Sequence, residues 1–238
     1  MLEWTADTLR FRADAADYTG FDRELARRIL PCLPPCARLC DAGCGTGELA
    51  LALAPHCAGV TAVDSSFVAL DRLRARAGGI GNLRVVQGDA FAMRPDPPYD
   101  AMVFCFFGSM DEILRTAPRQ CAGKVVLVKQ NWAYRRFSLR RERRTRVPYL
   151  NTLAALDALG VPYETEAFAL EMGQPFRCLE DAVLFFRLYG GEGSGDLCPK
   201  DAEARLVKTD SPRFPYYLPS EAELGLIAFD AADIPREI

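Results

Sequence analysis

The sequence predicts a doubly wound α/β fold, in which helices cover both faces of a parallel sheet. Three observations point to it. From residue 37 to about 130, short apolar strands alternate with helical segments, the pattern of a sheet buried on both sides. The first strand runs into a glycine-rich turn, Gly43-Cys44-Gly45-Thr46-Gly47, that opens a helix. Asp41, Asp64 and Asp89 stand at the ends of three successive strands.

In chain order, Phe21, Leu25, Ile29 and Leu30 recur at helical spacing and Pro31 stops that helix. After Pro34-Pro35, residues 37–41 form the first strand and 48–54 the next helix. Residues 59–64 form the second strand; Ser65 or Ser66 caps a helix that ends at Gly78-Gly79. Residues 83–87 and 99–106 give the third and fourth strands, and Ser109-Met110-Asp111-Glu112 has the spacing of a capping box. Residues 124–128 are a fifth, continuously apolar strand. Pro148 opens a helix closed by Gly160, 163–172 reads as a strand, 179–189 and 199–207 as helices, and 223–230 as the last strand; 190–195 is a candidate mobile loop. The expected organisation is one domain over 1–238: an N-terminal helical cap (1–36), a ligand-binding half (37–130) and an acceptor-side half with a helical insertion (131–238).

Composition narrows the classes. A chain of 238 residues, half of them hydrophobic, can bury one substantial core. Its formal charge of -3 argues against general nucleic-acid binding, which needs a positive field. The longest apolar stretch, 101–107, is too short to span a bilayer. The acidic start has no secretory pattern, so a soluble, cytoplasmic protein is expected. Nine cysteines cannot all pair, and reduced, buried thiols are expected. Cys32, Cys36, Cys40 and Cys44 straddle a proline turn, a strand and the glycine loop, so no metal site is read from them.

In an open parallel sheet, ligands bind beyond the carboxyl ends of the strands. Three acids leave strands there: Asp41 before the glycines, Asp64, suited to vicinal ribose hydroxyls, and Asp89, before Ala90, suited to an exocyclic amine of adenine. The spacing is Gly-x-Gly-x-Gly rather than the Gly-x-Gly-x-x-Gly of dinucleotide sites. An acid two residues before the first glycine repels a pyrophosphate and suits an ammonium group.

The stretch Leu39-Cys40-Asp41-Ala42-Gly43-Cys44-Gly45-Thr46-Gly47 resembles the first motif of the class I S-adenosylmethionine-dependent methyltransferases. Val63-Asp64, Gln87-Gly88-Asp89-Ala90 and the segment from Tyr99-Asp100 to Phe104 resemble the motifs that follow. The resemblance implies a Rossmann-like, seven-stranded, mostly parallel sheet with an antiparallel last strand and extra C-terminal helices. It implies S-adenosylmethionine as cofactor, held by Asp41, Gly43, Gly45, Gly47, Asp64 with Ser65, Asp89 and Ala90. Phe104 to Phe107 would line it, and Tyr18 stands where such enzymes often carry a tyrosine reaching the cofactor's methionine end.

Methyl transfer from a sulfonium mainly needs alignment and exclusion of water. His56 falls at the wrong edge of the sheet to act as a base, and no catalytic residue is assigned. The Asn/Asp-Pro-Pro-aromatic tetrad of amino-methylating enzymes is missing after the fourth strand, where Phe104-Cys105-Phe106-Phe107 stands instead; Asp96-Pro97-Pro98-Tyr99 precedes that strand. Lys129, Gln130, Asn131 and Trp132 leave the fifth strand toward the acceptor side. Trp132, Phe107, Arg135 and Arg136 are the candidate acceptor contacts, the first two arginines of a run continuing through Arg140, Arg141, Arg143, Arg144 and Arg146. A small anionic organic acceptor is the first expectation, and the oligomeric state, including a homodimer, is left open. An RNA methyltransferase using the arginine run and a cofactor-binding protein without turnover are the alternatives.

Overall fold

The computed structural model describes residues 4–140, 142–143 and 145–235. Two helices open the chain, α1 (Ala6–Thr19) and α2 (Phe21–Ile29), separated by Gly20 at φ +66. The sheet then builds through β1 (Arg38–Ala42), α3 (Glu48–Leu53), β2 (Gly59–Asp64), α4 (Phe67–Ala77), β3 (Leu83–Gln87), β4 (Tyr99–Cys105), α5 (Met110–Gln120) and β5 (Cys121–Gln130). Beyond it come α6 (Pro148–Leu159), β6 (Glu164–Glu171), β7 (Gln174–Phe176), α7 (Leu179–Tyr189), α8 (Pro199–Glu203), β8 (Val207–Lys208), β9 (Tyr216–Leu218) and β10 (Glu221–Asp230).

The main sheet has seven strands in the order β3-β2-β1-β4-β5-β10-β6, with β10 antiparallel to both neighbours. This is the expected mostly parallel sheet with an antiparallel last strand. Apolar residues fill both faces: Leu25, Ile29, Leu53 and Leu70 on one, Phe104, Ile113, Leu127 and Leu156 on the other. Strand order reverses between β1 and β4, so the crevice at the switch point opens above the turn that leaves β1. The glycine loop lies there.

Beyond Gly160, β6, α7 and β10 stand where expected, and the departures lie between them. The segment read as a helix over 199–207 stops at Glu203, and Val207 already belongs to β8. β7, β9 and β8 form a second, three-stranded sheet that α1 and α7 pack against, with α8 on α7, giving a cap with its own aromatic core of Phe11, Phe176, Phe185 and Phe186. Strands of two or three residues carry no periodicity to read. Side-chain pairs fasten α1 to this cap. Arg10 grips Asp181 through both carboxylate oxygens (2.7 and 2.8 Å), and buried Asp14 receives Arg177 (2.8 and 3.0 Å) and Arg213 (3.0 Å). Among the described residues no helix is long and apolar enough to cross a membrane.

Candidate functional site

The loop after β1 holds Gly43, Gly45 and Gly47 at φ +71, +54 and +76, left-handed conformations that suit glycine. Two of these glycines also answer to the protein's own packing. A methyl group on Gly43 would run into the Phe107 ring, and one on Gly47 into Leu73. At Gly45 the nearest neighbour is the Trp4 ring, 3.0 Å from a built Cβ. The glycines therefore form a cradle over which Phe107 and Trp4 stand.

The acids meet this cradle in different ways. Asp64 accepts the Gly45 N–H through one carboxylate oxygen (2.8 Å) and the Ser66 N–H through the other (2.8 Å), so it braces the loop. Ser66, not Ser65, caps α4 by accepting from the Ala69 N–H, and Ser65 lies exposed beside Asp64. Asp89 is exposed, accepts the Phe91 N–H (2.8 Å) and turns the chain so that Ala90 is buried. Asp41 is buried, and its Oδ2 has no hydrogen-bond partner. Burial, with the charges of Asp22 and Asp64 next, pushes its carboxyl up to about 7. A buried carboxylate oxygen without a donor suits an ammonium group, and with the glycine cradle it fits the amino-acid end of S-adenosylmethionine.

The two aromatic residues expected at the cofactor are packed in different places. Phe104 is fully buried and supports a stack in which Phe91 lies on Phe104 (6.2 Å) and Phe107 on Phe91 (5.1 Å), all near parallel. Alternation along β4 turns Phe104 into the core, and Phe107, beyond the strand end, reaches Gly43. Tyr18 packs on the cap, against Tyr217 (4.8 Å) and Phe214 (5.8 Å).

On that side Trp132 and Arg136 come together. The Arg136 guanidinium lies 5.5 Å from the Trp132 ring centre and 4.4 Å from that of Phe137, and it donates from Nη2 to the Met172 carbonyl (2.5 Å). Its Nε and Nη1 are buried without partners. Burial pulls its pKa down to about 10, against the opposing charge of Glu171. Glu171 accepts from the Tyr217 hydroxyl (2.5 Å) and from the Gly173 and Ser220 N–H groups. Phe106, at φ +55, leans on Trp132 (6.5 Å) and Phe21 (6.4 Å). Arg135 turns away to Glu142 (3.4 Å) and Arg140 to Glu192 (3.2 Å), while Arg141 and Arg144 lie outside the described residues. His56 is exposed just before β2, at the far edge of the sheet.

Three groups at the site went unforeseen in these roles. Lys129, near the end of β5, is buried and donates to the carbonyls of Phe107 (3.2 Å) and Gly108 (3.0 Å); burial pulls its pKa down to about 8. Arg12 on α1 reaches Asp22 on α2 (2.5 Å) and lies 3.8 Å from Glu48, the first residue of α3. Lys129 was at least visible as a polar residue leaving an apolar strand. For Arg12 and Asp22 the sequence shows only charges on amphipathic helices.

Comparison with known proteins gives these features a context. Residues 39–125 match the methyltransferase-domain family. Among solved structures the chain is similar to the YcgJ protein of Bacillus subtilis, with a TM-score of 0.56 at 16% identity over 89% of this chain and 98% of that one. It is similar to a candidate methyltransferase of Bacillus halodurans (TM-score 0.56, 19% identity, 89% and 99%). A further likeness is to precorrin 8w decarboxylase of Methanobacterium thermoautotrophicum (TM-score 0.51, 17% identity, 87% and 89%). Identities this low speak for the fold alone. No curated protein matches the chain.

Proposed function

We propose that this chain, whose residues 39–125 match the methyltransferase-domain family, is a class I S-adenosylmethionine-dependent enzyme that methylates a small anionic organic molecule held between the sheet edge and the cap. The observation that carries this reading is Arg136, a buried guanidinium with two unpartnered nitrogens beside Trp132. Buried donors of this kind call for an acceptor, and a guanidinium suits a planar carboxylate or a phosphate. Arg135 and Arg140 are met by Glu142 and Glu192, which weighs against a phosphate track for RNA.

When bound, the cofactor supplies an electrophilic methyl group on a sulfonium. The chain's part is to place the acceptor in line with it and keep water out. In this reading Asp64, Asp89 and Ala90 face the nucleoside, while Arg136 anchors the acceptor's anion. Phe106, Phe107, Trp132, Tyr18 and Tyr217 supply apolar walls. Tyr217 donates to Glu171, and burial with that bond raises its pKa, so it stays protonated and positions rather than abstracts.

The test incubates the purified protein with labelled S-adenosylmethionine and matched panels of carboxylic acids, phosphate esters, their neutral amides or alcohols, and tRNA. Labelling confined to anionic small molecules, with Arg136→Gln raising KM about 30-fold or more at unchanged S-adenosylhomocysteine affinity, is the expected result. Equal methylation of the neutral partners, or labelling of tRNA alone, would overturn the reading.

A further inference from the structure

A cavity of about 220 Å³ lies between α5 and the turn that follows β3, many times the roughly 15 Å³ that a single water needs. None of the residues assigned above to the cofactor or the acceptor lines it. Its walls carry three arginines, Arg94 from the turn and Arg115 and Arg119 from α5. Arg115 and Arg119 stand one helical turn apart on the same face, where like charges repel. All three are exposed, and among the described residues none is in an ion pair. The one carboxylate at the cavity, Glu112, attracts Arg115 but serves the capping box, where one of its oxygens accepts the Ser109 N–H (2.9 Å) and hydroxyl (2.7 Å). An anion in the cavity would relieve the repulsion.

Gln120 points to a ligand independently. It lines the cavity, is fully buried, and gives its amide protons to the carbonyls of Phe91 (3.2 Å) and Met93 (2.9 Å). These bonds pin the turn to the end of α5 and leave Oε1 buried with no donor. Arg94 spends Nη1 on the carbonyls of Ala92 (3.3 Å) and Met93 (2.8 Å), which leaves Nε and Nη2 over. The cavity therefore offers guanidiniums to an anion and one acceptor to a proton. A carboxylate uses only the first; a phosphate that is ionised yet keeps an O–H uses both. A phosphate monoester has its second pKa at about 6, so part of it holds that proton near neutral pH, whereas the phosphodiester of a nucleic acid has none to give. We propose that this cavity binds a small phosphate monoester, with Arg94, Arg115 and Arg119 on its anionic oxygens and Gln120 Oε1 accepting its O–H. The site stands apart from the acceptor anchored by Arg136.

Inorganic phosphate is the probe, because at about pH 6.5 every ion of it keeps an O–H, and sulfate is its control, alike in shape and without a proton. Both are titrated calorimetrically into the wild-type protein and into Arg136→Gln, which lacks the other unpartnered guanidinium. Phosphate should bind both forms, sulfate about tenfold more weakly, and Arg115→Gln combined with Arg119→Gln should weaken phosphate by about 30-fold or more. Both of these side chains are exposed, so the double variant should melt like the wild type. Saturating S-adenosylhomocysteine should leave phosphate affinity within about twofold, since the cavity lies outside the cofactor crevice. Absence of binding at about 10 mM phosphate would overturn the proposal. So would binding that disappears in Arg136→Gln, that survives the double variant, or that S-adenosylhomocysteine displaces. Sulfate held as tightly as phosphate would remove Gln120 from the site and the monoester with it. Binding of tRNA through Arg115 and Arg119, with none of phosphate, would make this face a nucleic-acid surface instead.

Discussion

The carboxylate of Asp64 holds the N–H of Gly45 with one oxygen and that of Ser66 with the other, each at 2.8 Å. One side chain thereby ties the end of β2 to both the glycine loop and the start of α4. Each oxygen keeps a lone pair free for a ribose hydroxyl, so bracing and binding are compatible. Asp64→Asn puts a donor against a donor at one of these contacts and strands an N–H group, at a cost of about 2 kcal/mol. We expect melting to fall by roughly 5 °C for a chain of this size, and S-adenosylhomocysteine affinity to fall by about tenfold or more. Scanning fluorimetry and calorimetry check both. Weakened binding at unchanged melting would show that the brace adds little to stability.

Gly43 and Phe107 make a second coupled pair, because the ring occupies the place a side chain on Gly43 would need. Gly43→Ala meets two penalties, the collision and a left-handed backbone at φ +71. Phe107→Ala removes only the first. The double variant should recover part of the stability that Gly43→Ala loses and stay about 1–2 kcal/mol below Phe107→Ala, the residual backbone cost. Strict additivity of the two single changes in a denaturant-melting cycle would contradict this.

How much of this was legible beforehand depended on how local each signal was. β2, β3 and α7 sit at the expected residues because apolar runs, caps and flanking glycines are written in contiguous sequence. The Ser109–Glu112 capping box formed as its spacing required. The cap strands β7, β8 and β9 were not legible, being too short for a period to show. α1 hid for another reason. Its buried face includes Thr8 and Asp14, and Asp14 is satisfied by Arg177 and Arg213, far along the chain. The acids ending strands could be found by register alone, whereas Asp22 and Arg12 matter through partners on other elements.

Asp41 should make stability fall as pH rises. Burial, then the nearby carboxylates of Asp22 and Asp64, raises its carboxyl from the usual range to about 7. Between about pH 4 and 7 the native state holds a proton that the unfolded chain releases, so stability is lost across that window as pH increases. Asp41→Asn removes the penalty. It should melt higher than wild type above pH 7, by up to about 4 kcal/mol in equilibrium terms, with the gap closing near pH 4. The same variant should bind S-adenosylhomocysteine less well. A gap that stays constant from pH 4 to 8 in thermal melts would refute the assignment of a buried, uncompensated carboxylate.

Lys129 should behave in the opposite sense. Its ammonium is buried with no carboxylate in ion-pair reach among the described residues, and the Phe107 and Gly108 carbonyls receive its protons. Burial lowers its pKa to about 8. From about pH 8 to 10.5 the unfolded chain binds a proton that the native state has given up, so this group adds stability as pH rises through that window. Relative to Lys129→Met, wild type should therefore gain melting temperature between pH 7.5 and 10, approaching an advantage of roughly 3 kcal/mol over its own neutral-pH value. The variant also releases the turn that seats Phe107 on Gly43, so its S-adenosylhomocysteine affinity should fall even at pH 7.5. A melting difference independent of pH would show that the amine stays charged in the fold; unchanged affinity would show that the turn holds its shape without it.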